Sequence, residues 1–293
     1  MADELVQDSP RSEHPATERP PVRRAGVDNG VRTAAVWNAV AAMAERRRAE
    51  LGRPLRVLDL GGGTGGLAVP LAEQGHDVLV VDPSPDALAS LRRRAQEVGV
   101  SERIQARQGD AETLPEVLAG SPGAADLVCC HGTLEVVDDP DAAIAGIAAV
   151  LAPDGVLSLV TAQRLAAVLA RAVAGRVDQA RALLANPDGH WGEGDPVPRR
   201  FDPDTLTDLL RRHGLEVVDR HGVRVVSDLV PSACLDTEHD RRAVLELEEA
   251  LAAHHDAAVL GRLAAAVHVL AMPATPAASA SAVVAASPTD HPG

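Results

Sequence analysis

Residues 55 to 66 read Leu-Arg-Val-Leu-Asp-Leu-Gly-Gly-Gly-Thr-Gly-Gly. The apolar positions Leu55, Val57, Leu58 and Leu60 make a run too short for a helix, bounded by Pro54 and by glycines, and they read as a buried parallel strand. In open α/β sheets, ligands bind outside the carboxyl ends of the strands. There a glycine turn lets the backbone come close, and the next helix presents unpaired N–H groups. A cofactor is therefore expected over Gly61, Gly62, Gly63 and Gly65.

Which cofactor is decided by the acid beside the loop. Gly61, Gly63 and Gly66 satisfy G-x-G-x-x-G and Asp82 follows about twenty residues on, as a dinucleotide fingerprint requires. Asp59, two residues before the first glycine, argues the other way. A carboxylate there repels a pyrophosphate and suits a ligand carrying an ammonium and a sulfonium. The D-x-G-x-G-x-G pattern starting at Asp59 resembles motif I of the class I S-adenosylmethionine (SAM) methyltransferases. A nicotinamide enzyme and an unrelated strand-loop-helix are the rival readings.

Composition sets outer bounds. The chain has 293 residues, 46% hydrophobic and 24% charged, which suits a globular α/β protein with a sizeable core. With one Phe, two Trp and no Tyr, that core is filled by Leu, Val and Ala, and platforms for stacking bases are nearly absent. All 28 basic residues are arginine, and 42 acids set the net charge at −14, which disfavours nonspecific attraction to nucleic acid or to an anionic membrane. Cys129 and Cys130, a vicinal pair in an apparent strand, point to opposite faces and with Cys234 make neither a disulfide framework nor a metal site. No apolar run reaches the roughly 18 residues needed to span a bilayer, and the N-terminus has no apolar secretion core, so a cytoplasmic protein without a metal is expected.

Along the chain, residues 1–25 and 273–293 lack periodicity and read as disordered tails around a single domain over 26–272. Val36, Val40 and Met43 recur at helical spacing within a helix over 31–50. Strands are expected at 78–81, 104–107, 126–130 and 156–160, and helices over 67–74, from 84 or 86 to 98, and over 142–151. This alternation predicts a doubly wound, mostly parallel, seven-stranded sheet. A helical insertion follows the fifth strand: one long helix over 163–184, then a polar loop over 186–200 that is a candidate lid or acceptor site. A helix over 205–213, a strand over 215–226, a helix over 240–254 and a strand over 264–271 complete the fold.

The candidate site residues sit at strand ends. Asp82, followed by Pro83, can accept both hydroxyls of a ribose or simply cap the next helix. By the methyltransferase resemblance, Asp110 accepts from the adenine amino group and the amide of Ala111 faces the ring; the rival is a Gly109-Asp110 turn. His131, after the fourth strand, is either a general base or a lining residue. The lining role is favoured, because transfer to an ionised oxygen needs orientation more than a base. Glu135 is as readily a structural partner.

Further stretches sharpen the resemblance. Gly30 with Arg32 and Trp37, Gly-His at 75–76, H-G-T-L-E-V-V-D-D-P at 131–140, L-A-P-D-G-V-L-S-L at 151–159, H-G-V-R-V at 221–225 and L-E-L-E at 245–248 are similar to the bacterial tRNA 5-carboxymethoxyuridine methyltransferase family. That resemblance covers nearly the whole chain between the tails. It implies SAM as cofactor, with Arg32 on the carboxylate of its methionine part. Arg224 could then hold the carboxylate of an anionic acceptor, which is either a tRNA anticodon or a small carboxylate. Arg224 is expected within a strand and pointing into the pocket, supported by Arg199, Arg200, Arg211 and Arg212. The chain departs from the family in lacking lysines and having few aromatics, so the cofactor carries over more firmly than the RNA.

Overall fold

The structure, a computed structural model, describes residues 29–118, 125–231 and 234–274, with the backbone alone at 29–35 and 115. Helix α1 (Asn29–Leu51) turns Val36, Val40, Met43 and Ala44 to one face and buries them, as their spacing requires. Strand β1 (Arg56–Leu60) leads through the glycine loop to α2 (Ala68–Glu73), β2 (Asp77–Asp82), α3 (Pro85–Glu97) and β3 (Ile104–Gln108). Ser84 caps α3 by accepting from the Ala87 N–H, with Pro85 in the first turn. After the short α4 (Leu114–Val117) come β4 (Ala125–His131), α5 (Pro140–Val150) and β5 (Leu151–Ala162).

These strands form a seven-stranded sheet in the order β3-β2-β1-β4-β5-β7-β6, where β6 is Leu215–Val223 and β7 is Ala266–Pro273. Strands β1 to β5 pair in parallel, while β7 enters between β5 and β6 and runs antiparallel to both. On one face α1, α2 and α3 pack over Val57, Val78, Val80 and Cys129. On the other α5 and α8 (Pro203–Arg212) pack over Leu58, Val128 and Cys130. The vicinal cysteines thus face opposite layers, and burial pushes both thiols up. Apolar cover on both faces is why the strands read as near-continuous Val/Leu runs.

Three expectations change. The single helix over 163–184 is two: α6 (Arg164–Val173) and α7 (Val177–Ala185), broken at Gly175, whose φ of 73° ends the first turn-by-turn ladder. Strand β6 stops at Val223, short of 226, because Arg224 adopts φ 62° and turns the chain out of the ladder. The last strand runs to Pro273, two residues past 271. Helices α9 (Glu238–Ala252) and α10 (Ala257–Leu260) lie between β6 and β7. Residues 1–28 and 275–293, which contain almost all of both expected tails, are outside the described residues.

Candidate functional site

The carboxyl ends of β1, β2, β3 and β4 converge on the glycine loop. Gly61 (φ 71°) donates to the Val81 carbonyl at 2.7 Å, and a Cβ there would lie 2.1 Å from Thr133 Oγ1 of the turn after β4. Thr133 in turn donates to the Leu60 carbonyl at 3.1 Å. Gly62 lies over Asp59: a Cβ would come 2.4 Å from its carboxylate, so the buried acid of β1 sits directly beneath the loop. Gly63 (φ 57°) donates to Asp82 Oδ2 at 2.9 Å, while Asp82 Oδ1 accepts from the Ser84 N–H at 2.9 Å. Gly65 (φ 81°) lets the loop approach Leu91 of α3. Only glycine meets these demands for left-handed backbone and close approach together.

Asp82 therefore does two jobs at once: it caps its own turn and it holds the loop. Its carboxylate is 3% exposed at the mouth of this cradle. Pro83 follows on the surface, its carbonyl accepting from Gln108 of β3. Asp110 lies beside them through the Gly109 N–H to Asp82 carbonyl bond of 3.3 Å. Its Oδ1 accepts from the Glu112 and Thr113 N–H groups and from the Thr113 hydroxyl, which holds the acid below the usual carboxylate range. Asp110 thus forms the turn that was its rival reading, with the acid exposed and Ala111 buried behind it. Arg32 falls on the N-terminal turn of α1, where the backbone alone is described.

His131 is the last residue of β4 rather than the first of its loop, and its Nε2 lies 2.8 Å from Ser158 Oγ on β5. Burial pushes this imidazole down to about 4, so it is neutral at physiological pH. Glu135, one turn on, accepts the Ala162 N–H at 2.7 Å, and burial holds its carboxyl above the usual range, that N–H offsetting it only in part. It is a structural partner, tying the turn after β4 to the end of β5.

Arg224 needs correction. It lies outside the strand, in the left-handed region, and its Nε is 3.1 Å from Asp228 in a partly exposed pair. It borders a cleft of about 220 Å³ with Gln163, Ala167, Val197, Arg200 and Asp228. The turn is held by Glu248 of α9, whose carboxylate accepts the N–H groups of Val225, Val226 and Ser227 at 2.9, 2.9 and 2.8 Å. The other arginines are committed elsewhere. Arg200 is buried against Asp195 at 2.7 Å, Arg199 bonds the Val137 carbonyl and Asp188, Arg211 pairs with Asp208 and Arg212 with Asp141. Arg199 and Arg200 fasten the 186–200 loop, Arg212 ties α8 to α5, and Arg211 pairs within α8 on the surface.

Sequence reasoning missed Thr133, Ser158 and Glu248. Each is a single polar residue whose partner is far along the chain, and no local spacing announces it.

The cradle has the features SAM requires: a glycine loop at the end of β1, a buried acid beneath it and a second acid at the end of β2. Residues 36–220 match a family model described as a methyltransferase domain. The chain is 32% identical over 246 residues to the tRNA 5-carboxymethoxyuridine methyltransferase of Escherichia coli K12, covering 82% of this chain and 87% of that protein. It is 34% identical over 168 residues to a ubiquinone biosynthesis O-methyltransferase of Xanthomonas euvesicatoria, covering 57% of this chain and 65% of that one. Among solved structures, the magnesium protoporphyrin IX methyltransferase of Synechocystis with bound SAH superposes with a TM-score of 0.53 at 16% identity, over 86% of this chain and 89% of that one, a likeness of fold. No helix among the described residues is long and apolar enough to cross a membrane.

Proposed function

We propose, because this chain belongs to the SAM-dependent methyltransferases, that it methylates a carboxylate oxygen and that its acceptor is 5-carboxymethoxyuridine in tRNA. The observation that carries this is the extent of one likeness. The match to the tRNA methyltransferase takes in 87% of that protein, whereas the ubiquinone O-methyltransferase match takes in 65%. Acceptor choice in this fold rests on what is added to the sheet, so likeness beyond the shared core bears on the acceptor.

In this reading Gly61, Gly62, Gly63 and Gly65 cradle the cofactor, Asp59 faces its positive groups, Asp82 and Pro83 border the ribose, Asp110 and Ala111 the adenine, and Arg32 the methionine carboxylate. SAM, when bound, supplies an electrophilic methyl group. A carboxylate is already ionised at neutral pH, so the chain's part is to align it and exclude water. Arg224 supplies a fixed positive charge at the cleft for that carboxylate, and neutral His131 lines the rim. The domain boundaries at 26 and 272 belong to the same proposal.

A second reading has its own support. The net charge of −14, the absence of lysine and the internal pairing of Arg200, Arg211 and Arg212 favour a small carboxylate over an RNA. One experiment separates them: methyl-labelled SAM is incubated with the protein and either tRNA carrying 5-carboxymethoxyuridine or a panel of small carboxylic acids. Label in the tRNA nucleoside, released by mild alkali as an ester should be, supports the first reading. Label only in a small acid overturns it.

A further inference from the structure

Four polar side chains from four different strands meet on the α1 face of the sheet. His131 Nε2 on β4 is 2.8 Å from Ser158 Oγ on β5, and the same hydroxyl is 2.8 Å from His268 Nε2 on β7. His268 Nδ1 is 3.1 Å from His221 Nε2 on β6, and His221 Nδ1 lies 3.8 Å from the Asp219 carboxylate. The register explains the row: His131 pairs with Val160, two residues from Ser158 and on the same face, while His268 sits opposite both Val160 and His221. Around it are Cys129, Val160, Ala266 and Leu270 of the apolar layer. Ser158 and His268 have no exposed surface.

Polar groups are buried this deeply only when bonded, and a row of bonded imidazoles and one hydroxyl has few self-consistent proton arrangements. A serine hydroxyl carries one proton, so it donates to one histidine and accepts from the other. A neutral imidazole likewise has one donor and one acceptor nitrogen. The arrangement at either end therefore dictates the other. Asp219 breaks the symmetry: its carboxylate favours the proton on the near nitrogen of His221, Nδ1. His221 Nε2 is then an acceptor, His268 Nδ1–H donates to it, Ser158 Oγ–H donates to His268 Nε2, and His131 Nε2–H donates to Ser158.

We propose that Ser158, His268, His221 and Asp219 are positioning residues that fix His131 in the Nε2–H tautomer and in one ring orientation, so that its Nδ1 lone pair is what His131 offers to bound ligands. A neutral ring with Nδ1 bare can only accept. It takes a hydrogen bond from an N–H or O–H group of whatever binds at the rim, and adds no positive charge beside a cationic cofactor. Burial keeps both His131 and His268 neutral, pushed down to about 4 and about 2, so neither of these rings carries charge at physiological pH, and burial lowers His221 as well. The functional consequence rests on His131 lining the methyl-transfer site; the proton order within the row does not.

The test reads ring nitrogens directly, by long-range ¹H–¹⁵N NMR of the full-length protein labelled at histidine, with His131 assigned through its own backbone resonances. The wild type is expected to show Nε2 of His131 protonated and Nδ1 bare. Ser158→Ala, which cuts the row with little change in volume, should release His131 to a mixture of both tautomers, and Ser158→Thr should restore the single one. Nδ1–H or mixed tautomers in the wild type, or an unchanged ring in a folded Ser158→Ala, would overturn the proposal. Should that variant not fold, the wild-type spectrum alone decides. Adding S-adenosylhomocysteine separates the underlying reading: a shift of the His131 ring supports its place at the rim, and an unmoved ring removes that place while leaving the row to stand or fall on its tautomer.

Discussion

Glu248→Ala isolates the device that holds Arg224. The carboxylate accepts three consecutive N–H groups, those of Val225, Val226 and Ser227, at 2.8–2.9 Å, and no other side chain is bonded to them among the described residues. Bonds to a charged acceptor contribute about 1.5–3 kcal/mol each when buried. Here Glu248 is half-buried and shared by all three, and water can reach part of the turn, so the expected loss is about 2–4 kcal/mol. The turn also contains strain, since an arginine in the left-handed region costs on the order of 1–3 kcal/mol unless its surroundings enforce it. A paired comparison follows. Arg224→Ala removes the guanidinium and its exposed Asp228 contact but keeps the strain, whereas Arg224→Gly removes both, so the glycine variant should be more stable by about 1 kcal/mol. Urea unfolding with linear extrapolation measures each difference, and an unchanged slope would keep the comparison two-state. Calorimetry should find SAM affinity unaltered in all three variants, because the cradle is built at the ends of β1 to β4, and the turn at Arg224 follows β6. Methyl transfer at subsaturating acceptor should fall in Glu248→Ala nearly as far as in Arg224→Ala. A Glu248→Ala protein within about 0.5 kcal/mol of wild type, or a glycine variant less stable than the alanine one, would refute this account of the turn.

Asp82→Ala should weaken SAM by about 1–3 kcal/mol, and calorimetry with SAM, S-adenosylhomocysteine and NAD should find the first two bound by the wild type and the third not. Because Asp82 also bonds Gly63 and Ser84, the same variant should melt earlier in the absence of ligand; unchanged affinity would remove Asp82 from the cofactor site. Asp126 is buried between Arg53 and Arg56, whose bonds outweigh its desolvation and hold its carboxyl far below the usual range. A depressed carboxyl stabilises the fold above its unfolded pKa of about 3.9, and that contribution is lost as pH falls toward the folded value. Asp126→Asn should therefore cost about 1–3 kcal/mol at pH 7, since both arginines are about half-exposed, with the difference from wild type shrinking below about pH 4. A pH-independent difference in urea unfolding would exclude the ion pairs as its cause.

What the sequence disclosed follows from how locally each feature is encoded. The sheet was legible because strands covered on both faces write themselves as short apolar runs closed by glycine or aspartate, and the cradle because its glycines and first two acids lie within one strand-helix-strand unit. The break at Gly175 was hidden by composition, the Ala/Arg/Leu pattern being the same on both sides of it. Arg224 was misplaced because flanking valines favour extended backbone, while the carboxylate that overrides them is more than twenty residues away. The histidine row could not be read at all: His268 is a lone polar residue in an apolar strand and His221 one of several polar residues in a half-exposed one, and only the antiparallel register of β7 against β5 and β6 brings them into line with Ser158.

The position of β7 bears on how the protein is made. The strand that leaves the ribosome last of the seven lies between β5 and β6, with a ladder on either side. Until it arrives, β5 presents an open edge and β6 has no neighbour in the sheet. The nascent chain must hold a partial sheet of β1 to β5 with its long, apolar fifth strand open along one edge, the arrangement most prone to pairing with another chain. Closing the β5–β7 ladder joins residues more than a hundred positions apart, which places the slowest and most concentration-sensitive step of folding after the first six strands have been made.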